Sequence, residues 1–260
     1  MAKLKFYQVD AFASEIFKGN PAGVCPLETE LNEADMQNIA MENNLSETAF
    51  IFSKNEKHHI RWFTPACEVD LCGHATLASA HVFFNHEGFN GKTIEFQSKS
   101  GPLRVTNKGD ILELDFPAKE PPECEIHTII EKALGKKPIQ LFKGDDYMAI
   151  FDCEADIAGF EPDFRELLNL GSRGLIVTAK GDTCDFVSRF FGPQVGIDED
   201  PVTGSAHCLL TPYWSKVTGK KMMTAKQISA RGGVLFCTMD SDRVKIAGNA
   251  VTFMQGFINI

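Results

Sequence analysis

The 260-residue sequence lacks several patterns that would assign it directly to a functional class. It has no Cys-x-x-Cys pair and no His-Glu-x-x-His run, so we do not expect a structural zinc site. No apolar run approaches the roughly 18 residues of a membrane span, and residues 1–13 mix charged and apolar side chains, unlike a secretory leader. We therefore expect a cytoplasmic protein without a membrane partner.

Positive charge is scarce as well. Lys and Arg together number 26 against 35 Asp and Glu, for a formal net charge of -9. This balance argues against nucleic acid as a partner, because phosphate backbones attract basic surfaces. The eight cysteines are scattered along the chain, so we expect reduced and mostly buried thiols.

What the sequence does contain is an internal repeat. Residues 61–65 (RWFTP) resemble residues 189–193 (RFFGP), and each match is followed by a second one, Gly73-His74-Ala75 and Gly204-Ser205-Ala206. The matches occur in the same order at an offset close to half the chain length, which indicates a diverged duplication. We predict an N-terminal half over residues 1–118, to which the final strand 250–260 is a candidate to return, and a C-terminal half over residues 119–249.

The predicted elements support an α+β fold built twice. Apolar periodicity and capping residues predict helices over 32–43, 75–87, 161–169 and 205–218, the last one kinked or interrupted at Pro212. Short runs rich in β-branched and aromatic residues predict the strands between them. The proline-containing segment 117–125 is the expected junction between the halves.

Both repeated glycines, Gly73 and Gly204, precede an apolar helix. A helix N-terminus has unsatisfied N–H groups and a partial positive charge, and glycine lets a ligand approach the backbone closely. If the halves face each other, two helix starts form a carboxylate site in the cleft between them. The alternative is that both glycines are only caps, with Ser205 as a capping side chain.

Four motifs resemble those of the PhzF family of phenazine-biosynthesis-like proteins. They are Gly19-Asn20-Pro21-Ala22-Gly23-Val24, residues 44–50 (NLSETAF), residues 63–76 (FTPACEVDLCGHAT) and residues 200–206 (DPVTGSA). The resemblance implies a diaminopimelate-epimerase-like fold, in which two pseudo-symmetric domains each wrap a barrel-like, mostly antiparallel sheet around a central helix. It also implies a homodimer and an active site in the cleft. Nothing in the residues calls for a metal or other cofactor.

The same resemblance implies the site residues. Glu47 corresponds to the family's general acid/base, and His74, Asp200 and Ser205 correspond to residues around its substrate, with His74 and Asp200 predicted to take part in catalysis. Asn20 and the two glycines are further predicted substrate contacts. Glu47 also has no counterpart in the second half, where residues 172–174 read Ser-Arg-Gly. A carboxylate that breaks the duplication suggests a specialised role. We therefore predict a cofactor-independent isomerase that moves a proton on a small carboxylate-bearing metabolite.

Two alternatives stay open at this point. A two-base racemase would need a cysteine before each helix, and Cys72 is present before Gly73 whereas Thr203 stands before Gly204. A non-catalytic metabolite-binding or interaction protein could have kept the same fold. A serine hydrolase is not expected, because Ser205 does not lie in a Gly-x-Ser-x-Gly turn.

Overall fold

The computed structural model describes residues 3–260. Residues 1 and 2, which belong to the segment 1–13 used in the leader prediction, lie outside the described residues. The chain separates into two compact units. One runs to Asp115 and includes Ala247–Ile260, and the other is Phe116–Ile246. Within residues 3–260, no helix is both long and apolar enough to cross a membrane.

The first unit contains most of the N-terminal elements. In chain order they are β1 (Lys3–Ala11), β2 (Asn20–Leu27), α1 (Glu33–Asn43), β3 (Glu47–Lys54), β4 (Lys57–Phe63), β5 (Glu68–Val69), α2 (Gly73–Asn85), β6 (Thr93–Ser98), β7 (Gly101–Asn107) and β8 (Leu112–Pro117). The chain passes into the second unit within β8.

The second unit repeats this pattern with shorter helices at its start. Its elements are α3 (Thr128–Leu134), β9 (Gln140–Lys143), β10 (Tyr147–Ile150), α4 (Glu154–Gly159), α5 (Phe164–Leu167), β11 (Leu175–Lys180), β12 (Phe186–Gly192), a 3-10 turn (Pro193–Val195), β13 (Ile197–Asp200), α6 (Gly204–Thr218), β14 (Met222–Gln227), β15 (Gly233–Asp240) and β16 (Arg243–Gly248). The chain returns to the first unit within β16, and the last strand, β17 (Ala250–Asn259), belongs to the first unit.

In the first unit the sheet is mostly antiparallel. β17 pairs with β1, β1 with β2, β3 with β4, and β6 with β7 in antiparallel fashion, whereas β2–β3 and β4–β6 are parallel. Helix α2 packs on β1, β2, β3, β7 and β17. It is buried nearly all round because small and apolar residues fill its faces, and its buried Thr76 and Ser79 hydroxyls donate to carbonyls one turn back.

The second unit has the same arrangement. β9–β10, β11–β12 and β14–β15 are antiparallel, and β10–β11 and β12–β14 are parallel. Helix α6 is fixed by Trp214, which stacks on Phe186 of β12 with ring centroids 5.7 Å apart. Its indole N–H donates to Thr178 of β11 over 3.0 Å. The predicted α+β class, with a mostly antiparallel sheet against one long helix in each half, is confirmed.

Most predicted element positions agree with the structure. Asn32 caps α1 by accepting from the Asp35 N–H, and Gly219 ends α6 in the left-handed conformation. Helix α6 continues through Pro212 to Thr218 instead of ending there. The predicted helix over 161–169 is wrong in extent, because only Phe164–Leu167 is helical; Asp163 caps it, and it forms a single turn before the buried Leu170.

Candidate active site

The predicted residue Asn20 is placed by a tight turn before β2. Gly19 has a φ of 65°, and a side chain there would put a Cβ atom 2.2 Å from the Ala11 carbonyl oxygen. Only glycine fits this turn without displacing backbone. The turn sets Asn20 opposite Ala11 in the β1–β2 ladder, where Asn20 is fully buried.

Glu47 is the first residue of β3, which runs parallel to β2. Asn44, the C-cap of α1, has a φ of 48° and turns the chain toward this strand. The side chain of Glu47 is only 14% exposed. Its position at a strand start, opposite Ala22 of β2, brings it close to the residues that begin α2.

Helix α2 supplies the partner of Glu47. His74 is the second residue of the helix and is buried, and its Nε2 atom lies 3.1 Å from Oε2 of Glu47. On the other side of the ring, Nδ1 lies 3.3 Å from the amide nitrogen of Asn20 and 3.5 Å from Sγ of Cys72. The structure therefore brings two predicted residues, Asn20 and Glu47, into contact with the imidazole of a third, His74.

The charge state of this cluster follows from its burial. Burial lowers the pKa of His74, but the neighbouring Cys72 and Glu47 side chains raise it more, so the pKa of His74 lies well above its ordinary value. Burial, and then the Glu47 charge, raise the pKa of the Cys72 thiol, which is therefore neutral at physiological pH.

One oxygen of the cluster has little support within residues 3–260. Oε2 of Glu47 is buried, and no donor in the described chain reaches it with acceptable hydrogen-bond geometry, although His74 is within ion-pair distance. A buried polar atom without a hydrogen bond is costly and uncommon. It marks a position where a further hydrogen can be accepted.

In the second unit, the predicted Asp200 ends β13 and contacts the residue before α6. Thr203 donates its hydroxyl to Oδ2 of Asp200 over 2.5 Å. Gln227 holds both residues, since its amide nitrogen donates to the Asp200 carbonyl at 2.7 Å and its amide oxygen accepts from the Thr203 N–H at 2.8 Å. Asp200 is thus held at a fixed distance from the start of the helix.

The predicted Ser205, the second residue of α6, has a different partner. Its Oγ accepts from Nη2 of Arg173 at 3.0 Å. Arg173 in turn forms a bidentate ion pair with Asp146, which is completely buried. Hydrogen bonds from Arg173 to Asp146 outweigh its partial burial and hold its pKa above the usual value.

The predicted glycines Gly73 and Gly204 are the first residues of α2 and α6. Neither helix has a side-chain cap from its N-cap residue, which is Cys72 in one case and Thr203 in the other. The first N–H groups of both helices therefore lack the usual side-chain acceptor, as an anion site would require.

Gln227 and Asp146 were not predicted as site residues from the sequence. Gln227 is the third member of an inward-facing alternation with the buried Met223 and Ala225 in β14, so a polar residue there could have been noticed. Asp146 carries no comparable signal, because it lies in the short acidic loop before β10. Its burial follows only from the tertiary structure.

A buried histidine also lies near the start of α6. His207 is the fourth residue of the helix, and its Nδ1 donates to the Thr203 carbonyl over 2.9 Å. Burial lowers the pKa of His207 to about 4. This histidine is therefore neutral at physiological pH.

Comparisons with known proteins match the whole of this architecture. The family model for phenazine biosynthesis-like proteins (PhzC-PhzF) matches residues 9–256. An uncharacterized isomerase of Pseudomonas aeruginosa is 50% identical over 259 residues, covering 99% of both chains. The crystal structure of a PhzF-family phenazine biosynthesis protein of Enterococcus faecalis is 48% identical, covers 100% of both chains and has a TM-score of 0.97.

A more distant likeness concerns the fold alone. The structure of a predicted epimerase of Pseudomonas aeruginosa is 18% identical, covers 98% of this chain and 99% of that one, and has a TM-score of 0.77. This agreement confirms the predicted epimerase-like fold. The family model matches nearly the full length of the chain, and full-length relatives are about 50% identical to it. The chain therefore belongs to the PhzC-PhzF family of phenazine biosynthesis-like proteins and is an isomerase.

Proposed function

We propose that this isomerase moves a proton on a small carboxylate-bearing metabolite without a cofactor, and that Glu47 is its general acid/base. The observation that carries the proposal is the buried Oε2 of Glu47, which lies beside His74 and has no well-oriented donor within residues 3–260. A buried carboxylate with acceptor capacity left can take a proton from a substrate carbon held against it.

The proton transfer balances within the site. Glu47 takes the proton from an acidified C–H bond, and the electron pair of that bond moves into the conjugated system of the substrate. The protonated Glu47 then returns a proton to another carbon, so the product has the composition of the substrate. A protonated His74 next to Glu47 stabilises the carboxylate before and after the transfer.

The substrate carboxylate is proposed to bind the N–H groups at the starts of α2 and α6, near Gly73 and Gly204. Both helices lack a side-chain cap, which supports this role. Negative charge that develops during the transfer would be stabilised by the same N–H groups. From the family resemblance, Asp200 and Ser205 are further proposed substrate contacts, and the cleft between the halves stays a prediction that a bound analogue would test.

The two-base racemase is less well supported. The position opposite Cys72 in the duplication is Thr203, and its hydroxyl is already engaged with Asp200. The raised pKa of Cys72 also disfavours a thiolate base. A single acid/base at Glu47 accounts for the cluster without a second one.

The test is a Glu47→Gln variant. Small unsaturated and cyclic carboxylic acids are incubated with the wild type in heavy water, and deuterium uptake is followed by mass spectrometry to find a substrate. The variant keeps the size of the side chain but removes the exchangeable proton. We expect uptake and turnover to fall by about 10² or more, which is the low end of what positioned proton transfer contributes.

A matched control is Glu42→Gln, which makes the same change at an exposed position of α1. It should exchange and turn over like the wild type. Thermal unfolding and analogue binding of both variants exclude a folding defect. A folded Glu47→Gln protein with wild-type turnover would end the proposal.

A further inference from the structure

We propose that Glu47, Cys72 and His74 also form a binding site for Zn²⁺, whose occupation blocks the acid/base. One donor atom of each residue lies within 4.8 Å of the other two. Across residues 3–260, no second group of three such donors comes this close. The three residues come together only in the folded chain, because Glu47 is far from Cys72 in sequence and the sequence contains no Cys-x-x-Cys or His-Glu-x-x-His motif.

The separation of the Glu47 and His74 donor atoms is close to that of two ligands in a zinc site. Zinc bonds of about 2.0–2.3 Å in a tetrahedral arrangement separate their ligand atoms by roughly 3.3–3.7 Å. Here Oε2 of Glu47 is 3.1 Å from Nε2 of His74, and Sγ of Cys72 is 4.0 Å from the same nitrogen. Sγ of Cys72 is nearer to Nδ1, at 3.5 Å, and so stands beside the ring; the Cys72 side chain would have to rotate toward Nε2 to complete the three protein ligands.

The donor set matches this metal. A thiolate, an imidazole and a carboxylate are the three side-chain types that bind zinc. Three protein ligands leave the fourth position for water or a small anion. Metal binding displaces the proton of the Cys72 thiol, and of His74 where it is protonated, and these protons are released to water. No oxidation or reduction takes part.

Zinc and catalysis compete for one atom. A Glu47 oxygen that binds the metal cannot accept a proton from a substrate carbon, so zinc would act as a reversible inhibitor. This consequence rests on the function proposed above, whereas zinc binding itself does not. The two can therefore be tested separately.

The experiment uses the full chain after removal of metal with a chelator, and Zn²⁺ alone as the probe. Affinity and stoichiometry are measured by competition with a fluorescent zinc indicator. We expect one equivalent to bind tightly, and Cys72→Ser to weaken binding by about 100-fold or more, since even outer-sphere partners of a metal site contribute 10- to 100-fold. The matched control is Cys67→Ser, at an exposed cysteine five positions earlier, which should bind like the wild type.

A spectroscopic measurement covers the case in which Cys72→Ser folds poorly. Co²⁺ bound to the wild type should show a near-ultraviolet thiolate-to-cobalt band, and Cys72→Ala should lack it. Absence of the band, no measurable zinc binding, or equal binding by wild type and Cys72→Ser would each overturn the zinc site. Zinc bound through Cys72 in a chain that gives no Glu47-dependent turnover would overturn the proposed function alone.

Discussion

The starts of α2 and α6 are similar in backbone, but the side chain that meets the second helical residue is a carboxylate in α2 and a guanidinium in α6. In both helices the first residue is glycine and the second contacts a charged side chain from the strand region of its own unit. His74 meets the carboxylate of Glu47 at 3.1 Å, and Ser205 meets the guanidinium of Arg173 at 3.0 Å. A carboxylate can accept a proton and release it again, whereas a guanidinium stays protonated. Under the function proposed above, only the first helix start therefore has a side chain that can transfer a proton.

The histidines near the two helix starts differ in the direction of their pKa shifts. The pKa of His74 is raised, because Glu47 and Cys72 outweigh the effect of burial. The pKa of His207 falls to about 4, because it is buried beside a carbonyl group and no carboxylate compensates. One buried imidazole therefore lies beside a carboxylate and has a raised pKa, and the other is neutral at physiological pH.

The largest effect that would test this comparison is expected from Glu47→Asp. The carboxylate is kept but retracts by one methylene, or about 1 Å, and misplacement of this size can cost about 10²-fold in rate. Turnover should fall by about 10²-fold while thermal stability and analogue binding stay close to wild type. Full activity would show that the position of the carboxylate, the feature that distinguishes the first helix start, does not matter.

A second large effect is expected in the other unit. Arg173→Met leaves the completely buried Asp146 without its ion-pair partner, which should lower the free energy of unfolding by about 3 kcal/mol. Denaturant unfolding measures it. Arg104→Met is the control, because its ion pair with Glu95 is 66% and 37% exposed and should contribute under about 1 kcal/mol.

The double variant Arg173→Met, Asp146→Leu sharpens this test. Replacing both partners by apolar side chains should recover part of the lost stability, because no unpaired charge is then buried. If Arg173→Met alone is as stable as the wild type, the second helix start is not supported by this ion pair.

The sequence could predict the first helix start better than the second. Asn20, Glu47 and His74 lie in motifs, and the duplication shows that Glu47 is unmatched. Arg173 occupies the corresponding segment, but its role depends on Asp146, whose burial cannot be seen in an acidic loop. Short elements such as α3 and β9 were also missed, because one or two turns leave too little periodicity to detect.

An acid-dependent loss of stability is expected from His207. The native state holds this histidine neutral, so it binds fewer protons than the unfolded chain. Its contribution is complete above the unfolded pKa of about 6.5 and is lost as the pH falls toward the native pKa of about 4. Between pH 7 and pH 5 the free energy of unfolding should fall by about 2 kcal/mol from this group.

The measurement is denaturant unfolding at several pH values for wild type and His207→Asn, whose amide nitrogen can replace Nδ1 as donor to Thr203. The difference between the two proteins should shrink as the pH falls from 7 to 5. A constant difference over this range would contradict a neutral buried His207.

The smallest effect is expected from Cys72→Ser. The thiol is neutral and no second thiol stands before α6, so turnover should fall by less than about 10-fold. Initial rates of the two purified proteins decide this. A loss as large as that of Glu47→Gln would return the two-base racemase to consideration.

The pairing of β17 with β1 has a consequence for how the protein is made. The ladder extends from Lys3 with Asn259 to Ala11 with Ala250, so the first strand of the first unit has its neighbour at the far end of the sequence. On the ribosome, the whole of the second unit is synthesised before this neighbour appears. Until then β1 pairs only with β2, and its other edge stays open to pairing with another chain.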